Sequence, residues 1–201
     1  MIVFFYSRGS LAYTPKEGNL TSYFGPYVYK TNFAGSKSGV HSPDFAGVGL
    51  VVNGDISPSG SLEIGLFQIN KVYIREDLGK YIAVQTALIH ITMGYRRWFN
   101  EYISASLSFF SAYSLGSPKI IHSDFAPGSE IDTSAKDTTE YGFDIAVQAE
   151  IYSQLAYAIV LDARYAASVT SKKNENADHY GIMLGLRYFF QEKSKKVLTN
   201  E

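Results

Sequence analysis

From residue 141 onward the chain alternates apolar with small or polar residues, and a period of two marks β-strands whose two faces meet different surroundings. Tyr141, Phe143, Ile145, Val147, Ala149 and Ile151 alternate with Gly142, Asp144, Ala146, Gln148 and Glu150. After a short turn, Tyr157, Ile159, Leu161, Ala163 and Tyr165 alternate with Ala158, Val160, Asp162, Arg164 and Ala166. A last strand sets Tyr180, Ile182, Leu184, Leu186, Tyr188 and Phe190 against Gly181, Met183, Gly185, Arg187 and Phe189. Upstream, the same rhythm runs through Ala46–Val52, Ala87–Tyr95 and Ile103–Phe109. The strand from about Ser61 starts with Leu62, Ile64 and Leu66 outward and then puts Gln68 and Asn70 on that face, which predicts a bulge or register change near Phe67 to Lys71. A first strand, about Leu20 to Lys30, contains Gly25-Pro26, and its faces stay unassigned.

Eight strands result, and their connections alternate in length. The gaps near 57–60, 97–101 and 152–155 are tight; those near 31–44, 115–139 and 170–179 are long and polar, and only the one near Arg75 to Lys80 is short on that side. Strands of about 10 to 14 residues exceed the usual 5 to 6 of globular sheets and suit a tilted membrane crossing. An even strand number with short turns at one end and long loops at the other predicts an all-β, eight-stranded, antiparallel up-and-down transmembrane barrel.

A lipocalin-like soluble barrel also has one apolar and one polar face, so composition has to decide which face is inside. Only 18% of the 201 residues are charged, against roughly 25% in soluble domains. The polar face is mostly Gly, Ser and Ala with a few charges, which fits the narrow interior of an eight-stranded barrel rather than a solvated exterior. The apolar face carries no Lys, Arg, Asp or Glu in the assigned strands, and one Arg or Lys at the bilayer midplane would cost roughly 2 to 4 kcal/mol. A net charge of −1 with scattered acids and bases gives no footprint for nucleic acid. The absence of cysteine excludes disulfides, thiolate nucleophiles and Cys-ligated zinc. No run of 18 apolar residues predicts a membrane helix.

Tyrosines at strand ends predict two aromatic girdles on the apolar face: Tyr81, Tyr113, Tyr141 and Tyr180 toward the long loops, and Tyr95, Tyr157, Tyr188 and Phe190 toward the short turns. The segment Gly185-Leu186-Arg187-Tyr188-Phe189-Phe190 resembles the C-terminal assembly signal of bacterial outer-membrane barrels, with Gly185, Tyr188 and Phe190 at the matching positions. The 11-residue tail Gln191 to Glu201 departs from it, since many such proteins end at the aromatic. The strand plan over residues 19–190 resembles the small eight-stranded outer-membrane class that includes the OmpA membrane domain and the OmpX-like and OmpW-like proteins. That resemblance implies outer-membrane localisation, contact with lipid and lipopolysaccharide, and handling by the barrel assembly machinery. Residues 1–18 read as a separate N-terminal segment: Ile2 to Tyr6 is apolar and Ser10-Leu11-Ala12 suits a signal peptidase, so a truncated signal peptide is expected, with an extra strand as the alternative. Residues 191–201 read as a polar periplasmic tail.

Charges on the lumen face must be paired, because isolated ones in a closed interior would be very costly. Turn centres near Ser153-Gln154 and Asn174 set Asp144 opposite Ala163, diagonal to Arg164, and Asp162 opposite Arg187. A network of Asp144, Asp162, Arg164 and Arg187 is expected, with Glu63, Arg96 and Glu150 nearer the short turns. His90 is expected inside the lumen, and His41-Ser42, His122-Ser123-Asp124 and His179 in the long loops. A rim His/Ser/acid set would suit acyl transfer to a lipid. The loop Leu115 to Thr139, with Asp124, Glu130, Asp132 and Asp137 against Lys119 and Lys136, is the favoured recognition surface. The resulting reading is a monomeric barrel, not an enzyme and without cofactor or metal, that displays loops to an extracellular ligand. A small channel for ions or apolar solutes is the alternative, and a lipid-modifying enzyme a further one.

Overall fold

The computed structural model describes residues 13–31, 43–154 and 157–190; the leader-like residues 1–12, His41-Ser42 and the tail 191–201 lie outside them. The strands are β1 (Leu20–Thr31), β2 (Asp44–Ser57), β3 (Gly60–Asp77), β4 (Lys80–Trp98), β5 (Ile103–Ser114), β6 (Lys119–Ser123), β7 (Thr139–Gln154), β8 (Tyr157–Ser168), β9 (Glu175–Asn176) and β10 (His179–Phe190). Eight of them close a ring in the order β1-β2-β3-β4-β5-β7-β8-β10, each antiparallel to its neighbours, with β10 returning to β1. Closure leaves the ring without an edge, the condition for crossing a membrane with strands. The short β6 and β9 come from the long loops and extend the sheet along β4 and β3.

The wall is inverted relative to a soluble protein. Phe24, Val28, Leu62, Ile64, Met93, Leu107, Phe143, Ile145, Ile182 and Leu186 are exposed on the outside, whereas Glu63, Arg96, Asp144, Asp162, Arg164 and Arg187 are buried inside. β1 now has faces: Thr21, Tyr23, Tyr27, Tyr29 and Thr31 point inward, and Leu20, Phe24 and Val28 outward. The Gly25-Pro26 step interrupts the β1–β10 ladder between Phe24–Leu186 and Tyr27–Met183. A Cβ on Gly25 would lie 1.9 Å from the Leu184 carbonyl oxygen, so only glycine allows this approach.

Two sequence expectations are corrected. β3 pairs with β4 from Gly60 to Asp77 without a shift, so no bulge interrupts that ladder near Phe67 to Lys71, while the β2–β3 ladder on the other side ends at Val48–Gln68. Gln68 simply faces outward, and the unbroken period carries Phe67, Ile69, Lys71 and Tyr73 into the interior. Register shifts occur instead at Asp55/Ser57, Ala83/Val84 and Glu150/Tyr152. Gln154 pairs with Tyr157, so the β7–β8 hairpin turns about two residues later than anticipated, and with the one-residue shift at Glu150/Tyr152 this sets Asp144 opposite Ala166 rather than Ala163. On the other side of β8, Asp162 faces Met183 and Arg187 faces Ala158, four residues from the anticipated pairing.

Candidate functional site

Three polar layers cross the lumen. The central one joins six strands: Arg96 on β4 binds Glu63 on β3 at 2.5 Å and Asp162 on β8 at 3.2 Å, and donates to Ser104 Oγ on β5 at 2.8 Å. Arg164 on β8 lies 2.6 Å from Asp162, 3.0 Å from Asp144 on β7 and 3.0 Å from Glu63. Tyr23 on β1 donates to Asp162 at 2.8 Å. All these side chains are buried. The small Ser104, Ser106 and Ser108 of β5 leave the cross-section that the two guanidinium groups occupy. Gly185 serves the same layer, since a Cβ there would come within 2.8 Å of the Tyr23 ring.

Arg187 is not part of this network, contrary to the sequence expectation. The register moves it toward the short-turn end, where it binds Glu150 at 2.6 Å. Its guanidinium lies over the rings of Tyr13, Trp98 and Phe189 at 5.1 to 5.6 Å. Tyr13, from the segment preceding β1, hydrogen-bonds to Asp55, which also accepts from Ser61 Oγ at 2.6 Å; Trp98 Nε1 donates to that hydroxyl at 2.9 Å. The chain before the first strand thereby covers the short-turn mouth.

Beyond the central layer, toward the long loops, the interior turns apolar: Tyr27, Phe67, Ile69, Leu88, Phe110 and Met183 pack together. His90 sits among them as expected of a lumen residue, but His179 does too. His179 belongs to β10 rather than to a loop, is buried, and packs edge-on against His90 with ring centroids 5.0 Å apart. The third polar layer is Lys71 bound to Glu140 at 2.5 Å, with Tyr73 donating to the other carboxylate oxygen at 2.6 Å. Sequence reasoning missed this pair because the presumed bulge removed Lys71 from the inward face; an unbroken period through Tyr73 would have found it.

At the rim, the β5–β7 and β8–β10 loops are tied together. Glu175 accepts from Ser134 N at 2.9 Å, from Ser134 Oγ, and from Lys172 N at 2.9 Å. Lys172 Nζ reaches Asp132 and Asp137, and its hydrogen bond holds the Asp132 carboxyl below the usual carboxylate range. Arg75 at the top of β3 donates to the Asp132 carbonyl at 2.5 Å. His122 Nε2 lies 3.0 Å from Asp124 Oδ1 and its ring stacks on Tyr81 at 4.3 Å, while Ser123 Oγ donates to the Phe125 carbonyl rather than meeting the histidine. The three residues adjacent in sequence do not form a nucleophile and base pair. Tyr81 is thus part of the rim and not of a girdle: Tyr113 pairs with Ile89, about eight residues nearer the membrane. Tyr95, Tyr113, Tyr141, Tyr157, Tyr180 and Tyr188 do project from the outer wall. Phe190 ends β10 opposite Leu20. Among the described residues no group of three or more His, Asp or Glu is placed to hold a metal ion.

No family model and no curated sequence matches the chain. Solved structures do. The outer membrane protein OprG from Pseudomonas aeruginosa superposes with a TM-score of 0.57 at 9% identity, covering 89% of this chain and 99% of OprG. Ail, the attachment invasion locus protein of Yersinia pestis, solved with the heparin analogue sucrose octasulfate, gives 0.49 at 12% identity, covering 86% and 100%. Neisserial surface protein A gives 0.43 at 11%, covering 87% and 100%. At these identities a likeness speaks for the fold alone, and that to OprG agrees with the closed ring and inverted polarity found in the chain itself. The chain is an eight-stranded antiparallel transmembrane β-barrel with the fold of small bacterial outer-membrane proteins.

Proposed function

We propose that this is an outer-membrane barrel with a filled lumen that acts through the loops it holds outside the cell, as a structural and surface-recognition protein. The observation that carries the reading is the central layer, in which Glu63, Arg96, Asp144, Asp162 and Arg164 bridge four strands and fill the cross-section. A water-filled pore would leave such groups solvated, whereas here they satisfy one another. With lipid at the belt and lipopolysaccharide above it, the remaining surface is the rim. Its loops are braced by the Glu175–Ser134 and Lys172–Asp132 contacts, and bracing lowers the entropy lost when a ligand binds. Gly185, Tyr188 and Phe190 at the end of β10 would present the barrel to the assembly machinery, and residues 1–12 would be removed on export. Replacing residues 116–137 by a short Gly/Ser turn tests the reading: adhesion of cells displaying the barrel should vanish while heat-modifiable migration of the folded barrel persists. Unchanged adhesion would reject it.

A second reading has one specific observation in its favour. The β2–β3 ladder ends at Val48–Gln68, and beyond it Tyr29 OH accepts from Asn70 N at 2.5 Å and Thr31 Oγ1 from Val72 N at 3.4 Å. Side chains of β1 close that seam where a backbone ladder would otherwise run, beside the apolar upper lumen, which suits lateral passage of an apolar solute. Faster uptake of such a solute in Tyr29→Phe would support it, and uptake equal to that of barrel-free vesicles would exclude it.

A further inference from the structure

The short-turn mouth buries more negative than positive charge. Asp55 on β2 and Glu150 on β7 are 4% and 8% exposed, and among the described residues Arg187 on β10 is the buried cation beside them. The adjoining central layer supplies no surplus cation, since Glu63, Asp144 and Asp162 already outnumber Arg96 and Arg164. Asp55 accepts from neutral groups, the Tyr13 hydroxyl, Lys16 N and Ser61 Oγ, while Lys16 itself is exposed. Arg187 Nη2 donates to Glu150 Oε2 at 2.6 Å. Ser153 and the Tyr13 backbone N–H approach the same carboxylate, yet Oε1 is left without a completed hydrogen bond. Burying a carboxylate beyond the available cations is costly, so this mouth calls for a second positive group.

The covering segment can supply it. Tyr13 is fixed across the mouth by its stack on Phe189 at 5.2 Å and its contact with Trp98 at 5.0 Å, which holds its backbone nitrogen beside Glu150. That nitrogen is a neutral amide, with one N–H in a set direction, only while residue 12 precedes it. Ser10 and Ala12 are the small residues that a signal peptidase reads ahead of its cut, which then falls between Ala12 and Tyr13. Water added across that peptide bond leaves a carboxylate on Ala12 and an ammonium on Tyr13. The ammonium has several N–H donors free to turn toward Oε1, and with an ordinary pKa of about 8 it is charged at neutral pH. Around Tyr13 stand the carboxylates of Glu150, Asp55 and, in the β4–β5 turn, Glu101, with Arg187 as the opposing charge.

We propose that Tyr13 is the first residue of the mature chain and that its α-ammonium is the counter-charge of Glu150, so that the cut itself locks the cover onto the mouth. This rests on the reading that residues 1–12 are removed on export, and it names the cut and its consequence. The protein is extracted from the outer membrane and its N-terminus sequenced. A portion is transaminated with pyridoxal phosphate, which turns an α-amine into a carbonyl and spares lysines. Both forms are refolded in lipid vesicles and unfolded in urea at pH 7 and pH 10, as is the same pair carrying Glu150→Gln. The expected first residue is Tyr13, and transamination should raise the unfolding constant about 10- to 100-fold at pH 7, the effect of losing a hydrogen bond to a charged group. Pairing favours the charged amine, so its contribution is complete below about pH 8 and is lost as pH rises through the paired value. The difference should therefore shrink to about twofold or less at pH 10, and likewise in Glu150→Gln. A chain that begins at any other residue, equal constants at pH 7, or a difference that persists in Glu150→Gln overturns the proposal. Should Glu150→Gln not refold, the pH comparison decides, since a difference undiminished at pH 10 overturns it too. A start at Tyr13 with equal constants rejects the counter-charge and leaves the export reading standing; an intact Met1 rejects both.

Discussion

Replacing Arg164 by Met removes the one group that touches all three carboxylates of the central layer, Asp162 at 2.6 Å and Asp144 and Glu63 at 3.0 Å. Arg96 then faces three buried acids alone, and Asp144 loses its ion-pair partner. Breaking a buried pair from one side costs about 3 to 5 kcal/mol, because the remaining charge is left uncompensated. The loss should sit at that value rather than at the roughly 0 to 1 kcal/mol of a surface pair. The double variant Arg164→Met/Asp144→Asn removes the stranded charge and should regain about 1 to 2 kcal/mol, a coupling expected of residues in one network. The assay is equilibrium urea unfolding of the barrel in lipid vesicles, followed through Trp98, the single tryptophan, which is buried in the lumen. Because the layer is shielded from solvent, 1 M salt should leave the difference between wild type and variant unchanged. A loss below about 0.5 kcal/mol for Arg164→Met, or no recovery in the double variant, would refute the reasoning.

Other predictions concern the two mouths and the packing between them. Tyr13→Ala should open the short-turn mouth, so that acrylamide quenches Trp98 more strongly while the strand content by circular dichroism stays constant; unchanged quenching would mean that this segment is no cover. Gly185→Ala should destabilise the barrel by about 1 to 3 kcal/mol, because the added methyl meets the Tyr23 ring at 2.8 Å, and a neutral effect on the urea midpoint would contradict the packing. The loop tie should depend on pH in one direction. Hydrogen bonding from Lys172 holds Asp132 below its ordinary value, so the tie is in place above the ordinary carboxylate range and is lost as pH falls through the lowered value. Proteolysis of the loop containing residues 124–138 by an acid-active protease should therefore rise steeply only below about pH 4. A rise already at pH 6 would point to a different brace.

The barrel was legible because a closed sheet between lipid and lumen writes its two faces directly into the sequence, as β7, β8 and β10 show residue by residue. The membrane assignment was legible for the same reason, from where charge is missing. Pairing of individual charges was less so. Asp162 and Arg187 both face inward as read, yet the true extent of the β8–β10 loop sets the register that separates them by four residues. Period-two patterning fixes a face but leaves the register of strands joined by long loops open. Lys71 was lost to a presumed bulge where a polar residue, Gln68, merely faces outward near the belt. His179 and Tyr81 were misplaced because strands continue beyond the point where alternation fades. The rim contacts of Glu175, Ser134 and Lys172 left no trace in spacing, since they join loops about 40 residues apart that come together only when the ring closes.

The central claim, that the lumen is filled and the work is done at the rim, meets its most direct test in planar bilayers. Wild-type protein is predicted to give no sustained conductance steps at moderate potential, and Glu63→Gln/Arg164→Met, which thins the central layer, to give brief, irregular openings. Steady ohmic steps from the wild type, unchanged in that variant, would contradict the account.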